Sequence, residues 1–300
     1  MGDADYEQWQ LQVFKDSLVE AKLYSPATET EKTSHSDVTL LRFLRARRFD
    51  IPKAQKQFSD TEAWRKKHDV DRLFATFDDD EFEVSKRFYP QWTGRRDKDG
   101  NPLYVYHIAS LAPMQKDLDA VSHERRYQRI VVLYEAMTRL VLPLCTHIHP
   151  TRTVSSCTTI IDLSSLTLGT VISLRSHLQE ASRLATANYP ETLHIIAVVN
   201  APAFFPIIWG WIKGWFDEGT RNKIYILGKG TDMGKLEEIV DREHIPKVYG
   251  GELEWVYGNA PSLDDAVKEV MIEMPWGPAE FIDGVVDKKS DPVQDTVPLA

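Results

Sequence analysis

Hydrophobic and polar residues alternate with one period before residue 100 and with mixed periods after it. In the first part apolar positions recur at helical spacing. Residues 6–23 read partly as a helix, followed by a polar, loop-like stretch around Pro26. Ser36-Asp37 is an N-cap signal, because a short oxygen-bearing side chain satisfies N–H groups that a first helical turn leaves unpaired. Behind it Leu40, Leu41, Phe43 and Leu44 make an apolar stripe, with Arg42, Arg45, Arg47 and Arg48 between and after them. Asp50-Ile51-Pro52 ends that helix and opens another, marked by Ala54, Phe58 and Trp64. Residues 1–80 therefore predict a small helical region.

Asp97-Lys98-Asp99-Gly100-Asn101-Pro102 is a dense turn signal, and beyond it strand-like and helix-like segments alternate. Residues 103–108, 158–163, 194–199 and 223–227 read as strands, rich in β-branched or continuous apolar residues. Residues 122–144, 174–187, 204–216 and 233–240 read as helices. Strands alternating with helices predict an α/β fold with a largely parallel sheet. Residues 81–255 hold this pattern, 256–300 form an extension, and the polar stretch from about 283, with its prolines, is expected to be a mobile tail.

Composition adds limits. At 42% hydrophobic and 10% aromatic the chain can bury a sizeable core, and a net charge of -9 predicts no general attraction to nucleic acid. Any anionic ligand must meet a local basic cluster. Cys145 and Cys157 form no CxxC pair, which suits a reducing compartment and supplies no metal or disulfide framework. The start, Met1-Gly2-Asp3-Ala4-Asp5-Tyr6, lacks an apolar signal core, and Tyr6 stands where a myristoylation motif wants Ser or Thr. Residues 195–216 are long and apolar enough to suggest a membrane span, but Asn200, Pro202 and Pro206 interrupt them. They read instead as a strand, a turn and an apolar helix.

Enzyme motifs are sparse. No G-x-S-x-G occurs. The glycine-rich run at 228–235 has Leu236 after Lys235 where a phosphate loop needs Ser or Thr, so it reads as a turn. His147 and His149 have no third ligand at metal spacing, and Asp162 at a strand end reads as a turn or capping group. The most unusual segment is 204–216, with Phe204, Phe205, Ile207, Ile208, Trp209, Trp211, Ile212, Trp215 and Phe216. A helix apolar on nearly every face is either buried or turned toward lipid. The polar stretch after it, at 218–223, suggests a hinge beside a lid over an apolar pocket.

The run Leu40-Leu41-Arg42-Phe43-Leu44-Arg45-Ala46-Arg47-Arg48-Phe49-Asp50 resembles the opening signature of the CRAL-TRIO family. Phe88-Tyr89-Pro90-Gln91, Asp97-Lys98-Asp99-Gly100, Thr159-Ile160-Ile161-Asp162-Leu163, Tyr189-Pro190-Glu191, Asn200-Ala201-Pro202 and Lys223-Ile224-Tyr225-Ile226-Leu227-Gly228 follow in the family's order. The resemblance covers about residues 36–255 and is strongest toward the fungal phosphatidylinositol/phosphatidylcholine transfer proteins.

That resemblance implies an N-terminal helical bundle packed on a lipid-binding domain with an apolar cavity and a helical gate. The gate falls on Phe204, Phe205, Ile208, Trp209, Ile212, Trp215 and Phe216. It implies that Arg47, Arg48, Glu191, Thr220 and Lys223 hold a phosphatidylinositol headgroup, cations on the phosphodiester and oxygens on the inositol hydroxyls. Tyr104, Tyr134 and Thr159 match a choline site, whereas Thr93 replaces a further tyrosine and Cys157 a serine. These departures leave room for a sterol or squalene as the second ligand. The expectation is a non-enzymatic, monomeric, cytoplasmic carrier of one phospholipid with no cofactor or metal. It would touch Golgi, endosomal or endoplasmic reticulum membranes transiently. Rival readings are a carrier of another hydrophobic ligand, a lipid-sensing adaptor and a lipid esterase.

Overall fold

The computed structural model describes residues 3–149, 151–216, 218–227 and 233–288. The glycine-rich run at 228–232 and the tail after Lys288 lie outside the described residues. Helices α1 (Asp3–Glu20), α2 (Asp37–Ala46) and α3 (Ile51–Lys67) come first. Ser36 caps α2 by accepting from the Thr39 amide at 3.2 Å, and Asp50 caps α3 by accepting from the Lys53 amide at 3.1 Å. Leu11, Phe14, Leu18, Leu40, Phe43, Leu44 and Phe58 close a core of their own among these helices. The short helices α4 (Val70–Ala75) and α5 (Asp79–Lys86) then lead into the sheet.

The sheet has five strands in the order β1-β2-β3-β4-β5. They are β1 (Gln91–Arg96), β2 (Pro102–His107), β3 (Cys157–Asp162), β4 (Leu193–Val199) and β5 (Ile224–Ile226). β1 pairs antiparallel with β2, and the later pairings within this sheet are parallel, so helical crossovers join their strands. β1 lies ahead of the first expected strand. Its Gln-Trp-Thr-Gly-Arg-Arg sequence breaks the apolar alternation and the strand is bulged between Trp92 and Arg96. Gly94, at φ 85°, is needed in that bulge because a Cβ there would meet the Ser262 carbonyl carbon at 2.5 Å.

Between β2 and β3 run α6 (Gln115–Asp119), α7 (His123–Ala136), one π-helical turn (Met137–Val141) and α8 (Leu142–Ile148). Pro143 has no N–H to offer the preceding turn, and the wider turn absorbs that loss. The whole helix His123–Ile148 is long and apolar enough to cross a membrane, but 61% of its most apolar window is buried inside the protein, so it reads as a core helix. The stretch at 195–216 divides into β4, a turn and a helix.

Helix α9 (Leu168–Asn188) links β3 to β4 and begins earlier than its apolar pattern suggests, at a Thr167 cap. Then come α10 (Phe205–Ile212), α11 (Glu218–Arg221) and α12 (Met233–Ile239). The chain continues through α13 (Asp265–Val270) into a hairpin of β6 (Ala279–Ile282) and β7 (Val285–Lys288). Where a loose polar tail was expected from Asp283, a paired strand therefore runs to Lys288. Phe281 belongs to a core shared with Leu140 and Leu144, and Val286 packs against it, so burial overrides the local polarity.

Candidate functional site

Alternate residues of a strand point to opposite faces of a sheet, and here the two faces have different neighbours. Leu103, Val105, Ile160, Ala197 and Val199 pack with Leu236, Val240 and Trp255. On the other face Tyr104, Thr159 and Ile196 stand side by side across three strands and form the floor of a cavity of about 250 Å³. Ile130, Leu133, Tyr134 and Met137 of the long helix make one wall. A second wall is α9, through Leu178, Ala181, Ser182 and Ala185. Their spacing puts them on one helical face, and three of the four are small. The space exists because that face carries almost no bulk.

Four of the residues expected at a headgroup meet at the rim: Arg47, Glu191, Thr220 and Lys223 all line this cavity. Lys223 Nζ donates to Glu191 Oε2 at 2.7 Å and to the Leu193 carbonyl at 2.9 Å. Arg47 is the C-cap of α2 and donates to the Ala46 carbonyl at 3.1 Å. Arg48 is not brought to the rim. The backbone enters the left-handed region at Arg48 and Phe49, with φ of 52° and 61°, so adjacent arginines diverge. The Arg48 side chain is 82% exposed and pairs with Glu218 at 3.0 Å.

Of the second expected set, Tyr104, Tyr134, Cys157 and Thr159 line the cavity. Burial pushes the Tyr104 and Tyr134 phenols well up and the Cys157 thiol up to about 12, so all stay protonated and uncharged at neutral pH. Thr93 lies away from the cavity. It is fully buried, and its hydroxyl donates to the Leu103 carbonyl of β2 at 2.9 Å, beside the bulge.

The expected gate segment is apolar on both sides of its helix, one side buried and the other turned outward. Phe205 and Ile208 are buried against Leu163, Val171, Ile196 and Val198, with Phe204, Trp209 and Ile212 partly buried around them. Ile207 and Trp211 are 54% and 47% exposed. A 3-10 turn (Lys213–Trp215), which includes the half-buried Trp215, follows α10, and Phe216 beyond it reaches the cavity wall beside Thr220.

A buried ionic cluster that the sequence reading missed adjoins this site. Glu135, 2% exposed, receives Arg65 at 2.8 Å, Arg139 at 2.6 Å and the Tyr189 hydroxyl at 2.6 Å. Burial alone would raise its carboxyl, but Arg65 and Arg139 hold it below the usual carboxylate range. Arg139 also binds Glu280 at 2.7 Å, and both guanidiniums contact Asp71. Tyr189 is itself on the cavity wall, stacked on Tyr134 with ring centroids 4.9 Å apart. Nearby, the Tyr89 and Ser182 hydroxyls are buried with no hydrogen-bond partner among the described residues. Burial pushes His177 down to about 4, against the pull of the Phe88 carbonyl.

Among the described residues no three His, Cys, Asp or Glu side chains cluster as metal ligands. His147 instead lies against Phe281, with ring centroids 5.2 Å apart. The arrangement is an uncharged apolar chamber with a charged rim, suited to holding an amphipathic molecule.

Comparison with known proteins bears on the family and the fold. The family model described as CRAL/TRIO domain matches residues 87–251, and that described as CRAL/TRIO, N-terminal domain matches residues 10–60. The Sec14 cytosolic factor of Schizosaccharomyces pombe is 34% identical over 79% of this chain and 83% of its own length. The SEC14 cytosolic factor of Kluyveromyces lactis is 34% identical over 80% of each chain. The phosphatidylinositol/phosphatidylcholine transfer protein SFH9 of Arabidopsis thaliana is 32% identical over 82% of this chain and 41% of its own length. The crystal structure of Sfh5 superposes with a TM-score of 0.63 over 91% of this chain and 98% of that one, at 16% identity, a likeness of fold.

Proposed function

This chain belongs to the CRAL/TRIO family, and we propose on that footing that it carries single phosphatidylinositol molecules between membranes. The observation that supports the reading most is the joining of one apolar cavity to a rim bearing Arg47, Glu191, Thr220 and Lys223. Acyl chains pass from a bilayer into the cavity, which spares them the exposure to water that would cost about 25 cal/mol for each Å² of apolar surface. Arg47 and Lys223 attract the phosphodiester, and Glu191 and Thr220 offer oxygens to the inositol hydroxyls. The patch of Tyr104, Tyr134, Cys157 and Thr159 takes part of a second lipid, phosphatidylcholine, without the contribution expected of Thr93. The exposed Ile207 and Trp211 side of α10 touches the bilayer while the segment ending at Phe216 moves aside. The work is exchange of lipid, performed by a cytoplasmic protein in transient contact with Golgi, endosomal or endoplasmic reticulum membranes.

The test is transfer of labelled phosphatidylinositol between vesicle populations. Wild-type protein is expected to transfer it, and Arg47→Ala with Lys223→Ala to lose roughly tenfold or more, the worth of charge-assisted hydrogen bonds. Arg48→Ala, whose exposed ion pair contributes little, should stay within about twofold of wild type. Absence of wild-type transfer would defeat the proposal.

A further inference from the structure

The turn that carries Glu191 is held by groups outside the rim. Glu191 lies in the left-handed region at φ 56°, a conformation that a residue with a side chain keeps only where its surroundings enforce it. On one side the Thr192 hydroxyl donates to the Tyr189 carbonyl at 2.9 Å and closes the turn. The Thr192 carbonyl in turn accepts from the Cys157 amide of β3 at 2.9 Å. On the other side the Tyr189 hydroxyl donates to Glu135 at 2.6 Å.

Glu135 cannot follow a movement of the turn. Arg65 of α3 and Arg139 of the π-helical turn grip its two oxygens, and Asp71 and Glu280 hold those guanidiniums from α4 and β6. Buried ion pairs contribute little net stability relative to apolar side chains of the same volume, and their best-attested use is to select one arrangement. Here the arrangement selected is a turn that sets the Glu191 carboxylate 2.7 Å from Lys223.

We infer that Glu135 is a positioning residue for cargo selection, which acts through the Tyr189 hydroxyl to hold Glu191 in its left-handed conformation at the rim. The inference rests on the proposed reading of the rim as a headgroup site. It assigns the cluster a role that a purely structural ion network lacks: loss of the Tyr189 hydroxyl should matter only while Glu191 is there to be placed.

A double-mutant cycle on the full chain separates the two roles. Transfer of labelled phosphatidylinositol is measured for wild type, Tyr189→Phe, Glu191→Ala and the double variant, with melting temperatures as a check on folding. Tyr189→Phe keeps the ring stack and should lower transfer about three- to tenfold, as loss of one hydrogen bond would. The double variant should transfer no less than Glu191→Ala alone, within about twofold. The same cycle with Glu135→Gln in place of Tyr189→Phe should show the same masking, even if that variant melts earlier. Losses that multiply in both cycles would overturn the inference and leave the proposed function standing. A wild type that transfers no phosphatidylinositol would overturn both.

Discussion

The two faces of the central sheet are built by alternate residues of the same strands, yet one is filled and the other left open. On the filled face Leu103, Val105, Ile160 and Ala197 are fully buried beneath Trp255, Leu236 and Val240. On the open face Tyr104, Thr159 and Ile196 look across at Ala181, Ser182 and Ala185 of α9. The difference lies less in the strands than in the helices laid over them. A large side chain opposite a strand completes a core, whereas a row of small ones leaves room for a guest.

The sharpest break of the comparison is Ile160→Ala on the filled face. It should cost about 2–5 kcal/mol in denaturant unfolding, because deleted methylenes leave a cavity that the packed face cannot close. Lipid transfer by the folded fraction should not change. A cost under about 1 kcal/mol would mean that the filled face is looser than its burial implies.

A pH series comes next in size. His177, on the α9 side of the open face, titrates down at about 4 when folded, while a free imidazole takes its proton near about 6.5. The unfolded chain therefore binds the proton first as pH falls. Stability is complete above pH 6.5 and is lost progressively toward pH 4, by about 3 kcal/mol. Replacing His177 by Phe should flatten that interval in unfolding curves, and an unchanged slope would show that other groups set it.

The smallest stability change, with the largest functional one, is expected for Ala185→Leu. Added bulk in a packed core usually costs about 1–3 kcal/mol. Here it projects into open space, so the melting curve should move by less than about 1 kcal/mol while phosphatidylinositol loading, read by extraction and mass spectrometry, falls away. A strongly destabilised variant would show that the α9 face is already filled.

Much of this was legible in the order of residues. The Ser36 and Asp50 caps, the apolar stripe of α2 and the β-branched run of β3 each follow from local chemistry, and local chemistry is what a sequence displays. The divergence of Arg47 from Arg48 was not, because it depends on two left-handed residues in a row that no glycine announces. Thr93 stands at a motif position as a departure from it, and beside the β1 bulge its hydroxyl is spent on the Leu103 carbonyl of β2. The Glu135 cluster gathers Arg65, Asp71, Arg139, Tyr189 and Glu280 from distant parts of the chain, so no local window contains it. The small face of α9 did leave a trace, in Leu178, Ala181, Ser182 and Ala185 at helical intervals, which a search for absent bulk would have found.

The ion pair between Glu191 and Lys223 bears on how fast a cargo is let go. Each group is the other's partner, at 2.7 Å. On the proposed reading an incoming phosphodiester competes for an ammonium already in use, and gains only the difference between two anions. Departure is eased to the same extent, since the ammonium is never stranded when the headgroup leaves. A shallow well of this kind favours short residence and many deliveries per protein, where a bare cation at the rim would favour storage.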